Sequence, residues 1–435
     1  MHRTEGQNNV AGFFTGGPPA TVVTPEWLNA VQEELLAVIA AGGESPLTVQ
    51  TDTRTQLLQA IQKMIRQEPY DFVVYDQASF NALWTRTGAN AYDIKDDYRS
   101  VLIRIPEGGG GYACTGTLSF LSGGDTYAEM NTNNCTHLKM EKGTYIYVAS
   151  SLSYLHVDTD DIIVENVWLR GSGVAAAAAP SYGFLMANGR YHITLKDCIV
   201  SHIAGGVGSF SAFYYLVGGS SFSASSMTSQ LIGCSVHDIQ DCSSVRAFYK
   251  CNNLSNCTAY NITGSGQRLV FDACANLSNC TAHTIASTSD VVYGFWECYN
   301  LSNIFCLSLS SSNNKSVYGV YGSINISSAY VKTLLTGNAT CVGFGNCRNL
   351  SACYAKTIDN NSAASSAAGF ATSYRLSACF AEDIDNAGGG PGVGFSTCGN
   401  IASSDTLEAA NPGNTVSDAS SAALVVKYSM RDIFT

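Results

Sequence analysis

Two stretches of this chain are near copies of each other. Cys251–Ile262 reads CNNLSNCTAYNI and Cys274–Ile285 reads CANLSNCTAHTI, 23 residues on. The pattern continues in weaker form. An apolar marker falls at Phe248, Phe271, Phe295, Val320, Phe344, Phe370 and Phe395, in steps of 23, 24, 25, 24, 26 and 25. Six residues after each marker stands an aliphatic residue: Leu254, Leu277, Leu301, Ile326, Leu350, Leu376 and Ile401. A small or apolar slot follows three residues later, at Cys257, Cys280, Ile304, Ala329, Cys353, Cys379 and Ser404. Five further on comes Ile262, Ile285, Leu309, Leu334, Ile358 and Ile384. Leu195–Cys198–Ile203 and Leu231–Cys234–Ile239 carry the back half of the pattern at a step of 36, so an insertion loops out between them, with Ser209–Gln230 the longest break. Ile162–Gly171 reads as a still earlier turn.

A fixed period of 20–50 residues means a solenoid, a propeller or an array. The Leu-rich consensus of leucine-rich repeats is absent, and a propeller blade needs about 40 residues. Apolar and polar positions alternate in short runs, which argues strands over helices. The expected fold is mainly β: a right-handed, single-stranded parallel β-helix (solenoid), its hand following the rule for parallel crossovers. About ten turns of about 24 residues are expected over 161–410, each stacked on the one below at about 4.8 Å.

Stacking explains the polar columns. Asn253, Asn276, Asn300, Asn325, Asn349 and Asn400, with Arg375 among them, lie five residues after the markers. Asn tolerates a left-handed backbone and suits a tight corner. Stacked Asn side chains can also bond along the axis. Ser255, Ser278, Ser302, Ser327, Ser351 and Ser377 form a second column. Cys251, Cys274 and Cys298 share a slot with Ser323 and Ser373, so the slot selects a small side chain, and buried free thiols are expected. Stacked cysteines could also bridge.

Charged residues are only 13% of the chain, against roughly a quarter in an average domain. A net charge of -11 argues against nucleic-acid binding, which needs clustered Lys and Arg. No run approaches the 18 apolar residues of a membrane helix, and MHRTEGQNNVAGFF lacks a signal-peptide core, so folding in a cytoplasm with reduced thiols is expected. No metal-ligand spacing or phosphate-cradling loop is evident, and no cofactor is expected.

The front of the chain differs. Thr24-Pro25-Glu26 has the residues of a helix start. Trp27, Val31, Leu35 and Val38 then fall on one face, with Leu28 beside them, and Gly42 is a stop. A second amphipathic helix, roughly Arg54–Arg66, presents Leu57, Leu58, Ile61 and Ile65. Residues 1–68 are therefore read as a small α-helical module and 69–160 as a bridge and cap, with FNALW near Phe80 as a short capping helix. Residues 411–435 are read as a terminating strand.

The stretch GFFTGGPPATVVTPEWLNAVQEELLAVI, followed by TQLLQAIQKMI, resembles the N-terminal module of bacteriophage and prophage tail fibre and tailspike proteins, over about residues 10–66. The resemblance implies attachment to a phage tail or baseplate through Trp27, Leu28, Val31, Leu35, Leu57, Leu58 and Ile61. It also implies a homotrimer, a place in the virion tail after assembly in the bacterial cytoplasm, and recognition of a host surface glycan or protein. The chain has no room for the larger C-terminal trimerisation domain of many tailspikes.

Tailspikes of this kind are often glycan depolymerases. Hydrolysis needs two carboxyls about 5–5.5 Å or 6.5–9.5 Å apart, which adjacent turns can supply. Asp359 with Asp385, and Asp272 with Glu297 near Trp296 and Tyr299, are the candidate pairs. Both are also what turn chemistry and chance stacking would produce. Exposed aromatics on a rigid coil could instead grip a receptor; Tyr249, Trp296, Tyr299, Tyr321 and Tyr374 are the candidates. A third reading is a spacer or adaptor fibre.

Overall fold

The computed structural model describes residues 70–407 apart from 115–127, 149–152, 174–181, 188, 206–207, 216–227, 338, 361–364, 387–391 and 403–404, together with a few earlier positions. The chain divides into two units, Met1–Pro69 and Tyr70–Thr435. In the first, Asn9–Val10 pairs antiparallel with Phe13–Phe14, and Glu33, Glu34 and Ala37 are helical and exposed. Trp27, Leu28, Val31, Leu35, Leu57, Leu58 and Ile61 lie outside the described residues, as does 411–435.

The second unit is a parallel β-solenoid of three sheets with thirteen strands each. One sheet, here the Asn sheet, runs from Phe72–Val74 to Gly399–Ala402. The Phe sheet runs from Trp84–Arg86 to Gly392–Ser396, and the third sheet from Tyr112–Ala113 to Asp405–Leu407. Within the described coil each strand pairs in parallel with its neighbours one rung away, except Trp84–Arg86, which turns back antiparallel on Ala91–Ile94. Residues 69–160 thus supply the first rungs of the coil as well as its cap. No helix among the described residues is long and apolar enough to cross a membrane.

The register reproduces the sequence columns. Phe248, Phe271, Phe295, Val320, Phe344, Phe370 and Phe395 pair in series, as do Leu254, Leu277, Leu301, Ile326, Leu350, Leu376 and Ile401. The Phe column starts earlier than the repeat suggests, at Phe184 and Phe213. Ser209–Tyr215 is therefore a Phe-sheet strand, not part of an insertion. Phe271 and Phe295 stack at 4.6 Å and 3° with both rings fully buried. Each such ring contributes roughly 1.5–3 kcal/mol by leaving water.

Corners use left-handed residues. On the Phe271 rung, Ala273, Asn276, Asn279 and Thr284 have φ of 50, 55, 53 and 54°. Asn predominates at such sites because its short polar side chain bonds locally and lowers the cost. The Asn column bonds along the axis: Asn276 Nδ2 donates to Asn253 Oδ1 (3.0 Å), Asn300 to Asn276 (2.9 Å), Asn325 to Asn300 (2.9 Å) and Asn349 to Asn325 (2.8 Å). The Ser column behaves differently. Ser302 and Ser327 donate to the carbonyls of Leu277 and Leu301 one rung below, each at 3.3 Å.

All sixteen cysteines are buried and none forms a disulfide. Cys274 Sγ donates to Phe248 O and Cys298 Sγ to Phe271 O, both at 3.3 Å. Ser373 Oγ does the same to Phe344 O at 3.3 Å. The slot selects a small side chain that carries a donor, so size alone is not the whole rule.

The expected capping helix is Gln77–Leu83, with Phe80 and Leu83 buried. Asp76 accepts from Ser79 N (2.7 Å) while Ser79 Oγ accepts from Asp76 N (3.0 Å), a reciprocal cap. Gln77 Nε2 donates to Ala113 O (3.0 Å) and Gln77 Oε1 accepts from Ala113 N (2.9 Å). One side-chain amide thereby pairs with the first described strand of the third sheet as a neighbouring strand would, occupying part of an edge that could pair with another chain.

Candidate functional site

The rung that buries Phe295 also turns Trp296 outward, and the same holds on its neighbours. One outward column of the Phe sheet reads Tyr214, Tyr249, Asp272, Trp296, Tyr321, Gly345. A parallel one reads Arg246, Leu269, Tyr293, Tyr318, Val342. Tyr182 stacks on Tyr214 (5.4 Å) and Tyr214 on Tyr249 (4.9 Å). Tyr293 stacks on Tyr318 (5.0 Å) and Trp296 on Tyr321 (5.1 Å). Tyr293 meets Trp296 edge-on at 4.1 Å, and Tyr318 meets Tyr321 at 4.8 Å, so the columns interlock. Ring faces are spent on one another along the axis, which leaves edges and hydroxyls for solvent. Gly345 makes room at the end of this wall: a Cβ there would come within 2.8 Å of the Tyr321 ring.

Asp272 interrupts the wall. Its two column neighbours, Tyr249 and Trp296, stand two rungs apart, about 9.6 Å. In that notch Arg246 Nε lies 2.8 Å from Asp272 Oδ2, and the Arg246 guanidinium sits 4.6 Å over the Tyr249 ring. Burial pushes the Asp272 carboxyl up to about 6, against the opposing pull of Arg246; Glu297 adds to the rise. Glu297 is a left-handed corner residue (φ 50°) directly after Trp296. Asp272 and Glu297 are therefore neighbours on successive rungs, as expected, but offset by one residue instead of in register.

The proposed receptor residues fall into two groups. Tyr249, Trp296 and Tyr321 belong to the wall on the Phe sheet. Tyr299 and Tyr374 lie on the Asn sheet, in the column Tyr299, Ile324, Arg348, Tyr374, and are among the more exposed large side chains. Beside them a shallow groove of about 470 Å³ is lined by Ile324, Arg348, Asn349, Tyr374, Arg375 and Asn400.

Asp359 and Asp385 stack in register on the third sheet, as the repeat implies. Burial and then the Asp385 charge raise the Asp359 carboxyl above its ordinary range. Asp359 Oδ1 is buried without a hydrogen bond. Lys356 reaches Glu382 at 3.7 Å. No aromatic wall flanks this pair on its own column, where Leu335 is the neighbour below.

Two features escaped the sequence reading. Phe305, Tyr330, Tyr354 and Phe380 form an outward column on the third sheet, with Tyr330 and Tyr354 stacked at 5.3 Å. They stand one residue after the small slot, so the repeat could have exposed them. The second is a cluster of His202, His237 and Asp238, whose ligand atoms lie within 4.8 Å of one another. His202 is held below its ordinary range by burial first and then by Arg170. Against the effect of burial, hydrogen bonds from His237 and Asn261 hold Asp238 low. His202 and His237 are 35 residues apart across the irregular step, so no short motif announces them.

The fold and its outer face define a three-sheet parallel β-solenoid with an aromatic wall broken by one buried acid. No protein-family model matches the sequence, and no curated protein matches it. Among solved structures the chain is similar to a point mutant of the periplasmic alginate epimerase AlgG, at 9% identity and a TM-score of 0.22, over 80% of this chain and 83% of that one.

Proposed function

We propose that this chain is a phage-type tail fibre protein that binds a host surface glycan along the aromatic wall of the Phe sheet. One observation carries the reading: Tyr182, Tyr214, Tyr249, Trp296 and Tyr321 stand on a rigid sheet with Asp272 and Arg246 recessed among them. A wall of hydroxyl-bearing edges offers donors and acceptors at the rung spacing of about 4.8 Å to a polymer of hydroxylated units lying along the axis. The notch gives that polymer a buried acid and a cation between two rings, the few polar groups that orient a ligand in a mostly apolar site. The tail-fibre part of the reading rests on the resemblance over residues 10–66, and with it come tail attachment, trimerisation and location in the virion.

Glycan cleavage is the second reading. It is favoured by Asp272, a carboxyl that holds its proton to about pH 6, beside Glu297. A carboxylic acid tuned upward by burial is what general-acid catalysis of glycosidic cleavage uses.

The test exposes the full chain to extracted surface polysaccharide of candidate bacterial hosts. Binding is followed by sedimentation and polymer molar mass by light scattering. Binding that is lost in Trp296→Ala and Tyr249→Ala, with molar mass unchanged, supports the receptor reading. A falling mass abolished by Asp272→Asn moves the assignment to a depolymerase. Binding that survives both aromatic substitutions sinks the wall as the binding face, and the Tyr374 groove becomes the next to test.

A further inference from the structure

Three side chains from two successive rungs converge on the third-sheet side of the coil, away from the aromatic wall. Ser201 and His237 pair in register, which puts His202 one rung below Asp238. His237 Nδ1 is hydrogen-bonded to Asp238 Oδ2 at 2.8 Å, a contact that a bound ion would replace, and His202 Nε2 lies 3.9 Å from the same oxygen. Two ligands bound to one ion at about 2.0–2.2 Å can be at most about 4.3 Å apart. Both pairs satisfy that limit, and all three ligand atoms lie within 4.8 Å of one another.

The surroundings hold these groups as a metal site would. His202 Nδ1 is engaged with Ser201 Oγ at 2.8 Å, and that hydroxyl also takes a hydrogen bond from Trp168 Nε1 at 2.7 Å. The far nitrogen of His202 is thereby aimed at Asp238, the arrangement in which the second ring nitrogen of a ligating His is fixed by a neighbour. Asn261 Nδ2 donates to Asp238 Oδ1 at 3.1 Å, leaving Oδ2 for the cluster. Tyr260 stacks on the His237 ring at 4.8 Å and 7°, which fixes its plane. His202 and Asp238 both adopt left-handed backbone, each at φ 55°, at matching corner positions of successive rungs. Arg170 is the nearby opposing charge, and its guanidinium is taken up by Tyr145 (4.8 Å) and Trp168 (5.4 Å).

We propose that His202, His237 and Asp238 bind one divalent transition-metal ion of the zinc class, with a coordination position left for water. Two imidazoles and a carboxylate suit such ions better than calcium or magnesium, which take oxygen ligands. The ion clips together two rungs whose chain separation is stretched from about 24 to 36 residues by the irregular step between Leu195 and Leu231. Closing a loop across that step removes unfolded-state freedom at the place where the repeat is least regular.

The test uses the full chain, stripped with a chelator and dialysed. Zinc chloride is titrated by calorimetry, and cobalt is substituted for a visible spectrum. One ion per chain is expected, with a cobalt spectrum free of thiolate charge transfer and a higher melting temperature with zinc. Asp238→Asn keeps the left-handed corner and the fold, and should weaken zinc binding at least tenfold; His202→Gln and His237→Gln should do the same. His283→Gln, elsewhere on the same sheet, should leave binding unchanged. No bound zinc, binding equal in all variants, or a thiolate band would each overturn the assignment. Circular dichroism of the metal-free variants separates lost ligation from lost folding.

Discussion

Arg246 Nε lies 2.8 Å from Asp272 Oδ2, although the two residues sit on successive rungs and differ in burial: 33% of the arginine side chain is exposed against 8% of the aspartate's. The pair is thus a buried carboxylate served by a partly buried cation. Its net effect leaves the acid above its ordinary range at about 6.

That imbalance makes stability depend on pH with a definite sign. Asp272 binds its proton more tightly folded than unfolded, so its contribution is greatest below pH 4 and is lost as pH rises through 6. The rise from 3.8 to about 6 corresponds to at most about 3 kcal/mol. Urea unfolding between pH 4 and 7.5 should show the wild type losing stability relative to Asp272→Asn across that window. Parallel profiles for the two proteins would refute the assignment.

The Asn column permits a clean separation of backbone and side-chain effects. Asn300 is left-handed (φ 54°), donates to Asn276 and accepts from Asn325. Asn300→Ala should cost about 1–3 kcal/mol, from strain and two exposed hydrogen bonds. Asn300→Gly relieves the strain and should recover part of that loss. Chemical denaturation reads both, and an alanine variant as stable as wild type would show the corner to be unstrained.

Sixteen buried thiols make a labelling prediction. Burial pushes Cys242 up to about 11 and Cys347 up to about 12, so native thiolate is scarce. A thiol reagent should modify none of the cysteines of the native chain and all sixteen in denaturant without reductant. Fewer than sixteen in denaturant would reveal disulfides.

Asp359 and Asp385 carry like charges one rung apart, and Asp359 is raised partly for that reason. Asp385→Asn should lower the Asp359 pKa and leave stability at pH 7 equal or higher by a few tenths of a kcal/mol, since like charges directly opposite are destabilising. Carbon-13 NMR titration of the carboxyls measures the shift. An unmoved Asp359 would mean burial alone raises it.

Interior glycines mark places where neighbouring rungs pack too closely for a side chain. Gly319 faces Gly343 O and the Val331 methyls, each 2.7–2.8 Å from where a Cβ would stand. Backbone cannot yield there, so Gly319→Ala should destabilise by about 1–3 kcal/mol as overpacking. Thermal unfolding tests this, and an unchanged melting temperature would show that the rungs can separate.

The repeat made most of the coil legible. Positions one period apart touch in a solenoid, so a column in the sequence becomes a contact in space; Phe271 on Phe295 and Asn300 on Asn276 follow from spacing alone. The in-register pairing of Asp359 with Asp385 follows the same way. What spacing cannot express is which columns face each other across a corner, or how a side chain leans. Spacing puts Tyr299 beside Trp296, three residues away, yet the corner at Glu297 sends them to different sheets. The Asp272–Arg246 contact and the His202–His237–Asp238 cluster depend on rotamers and on a rung of irregular length, where the period fails. Sequence alone determined the coil and its ladders, because like stacks on like. Tertiary structure decided which of the outward side chains meet, because that depends on where each corner turns.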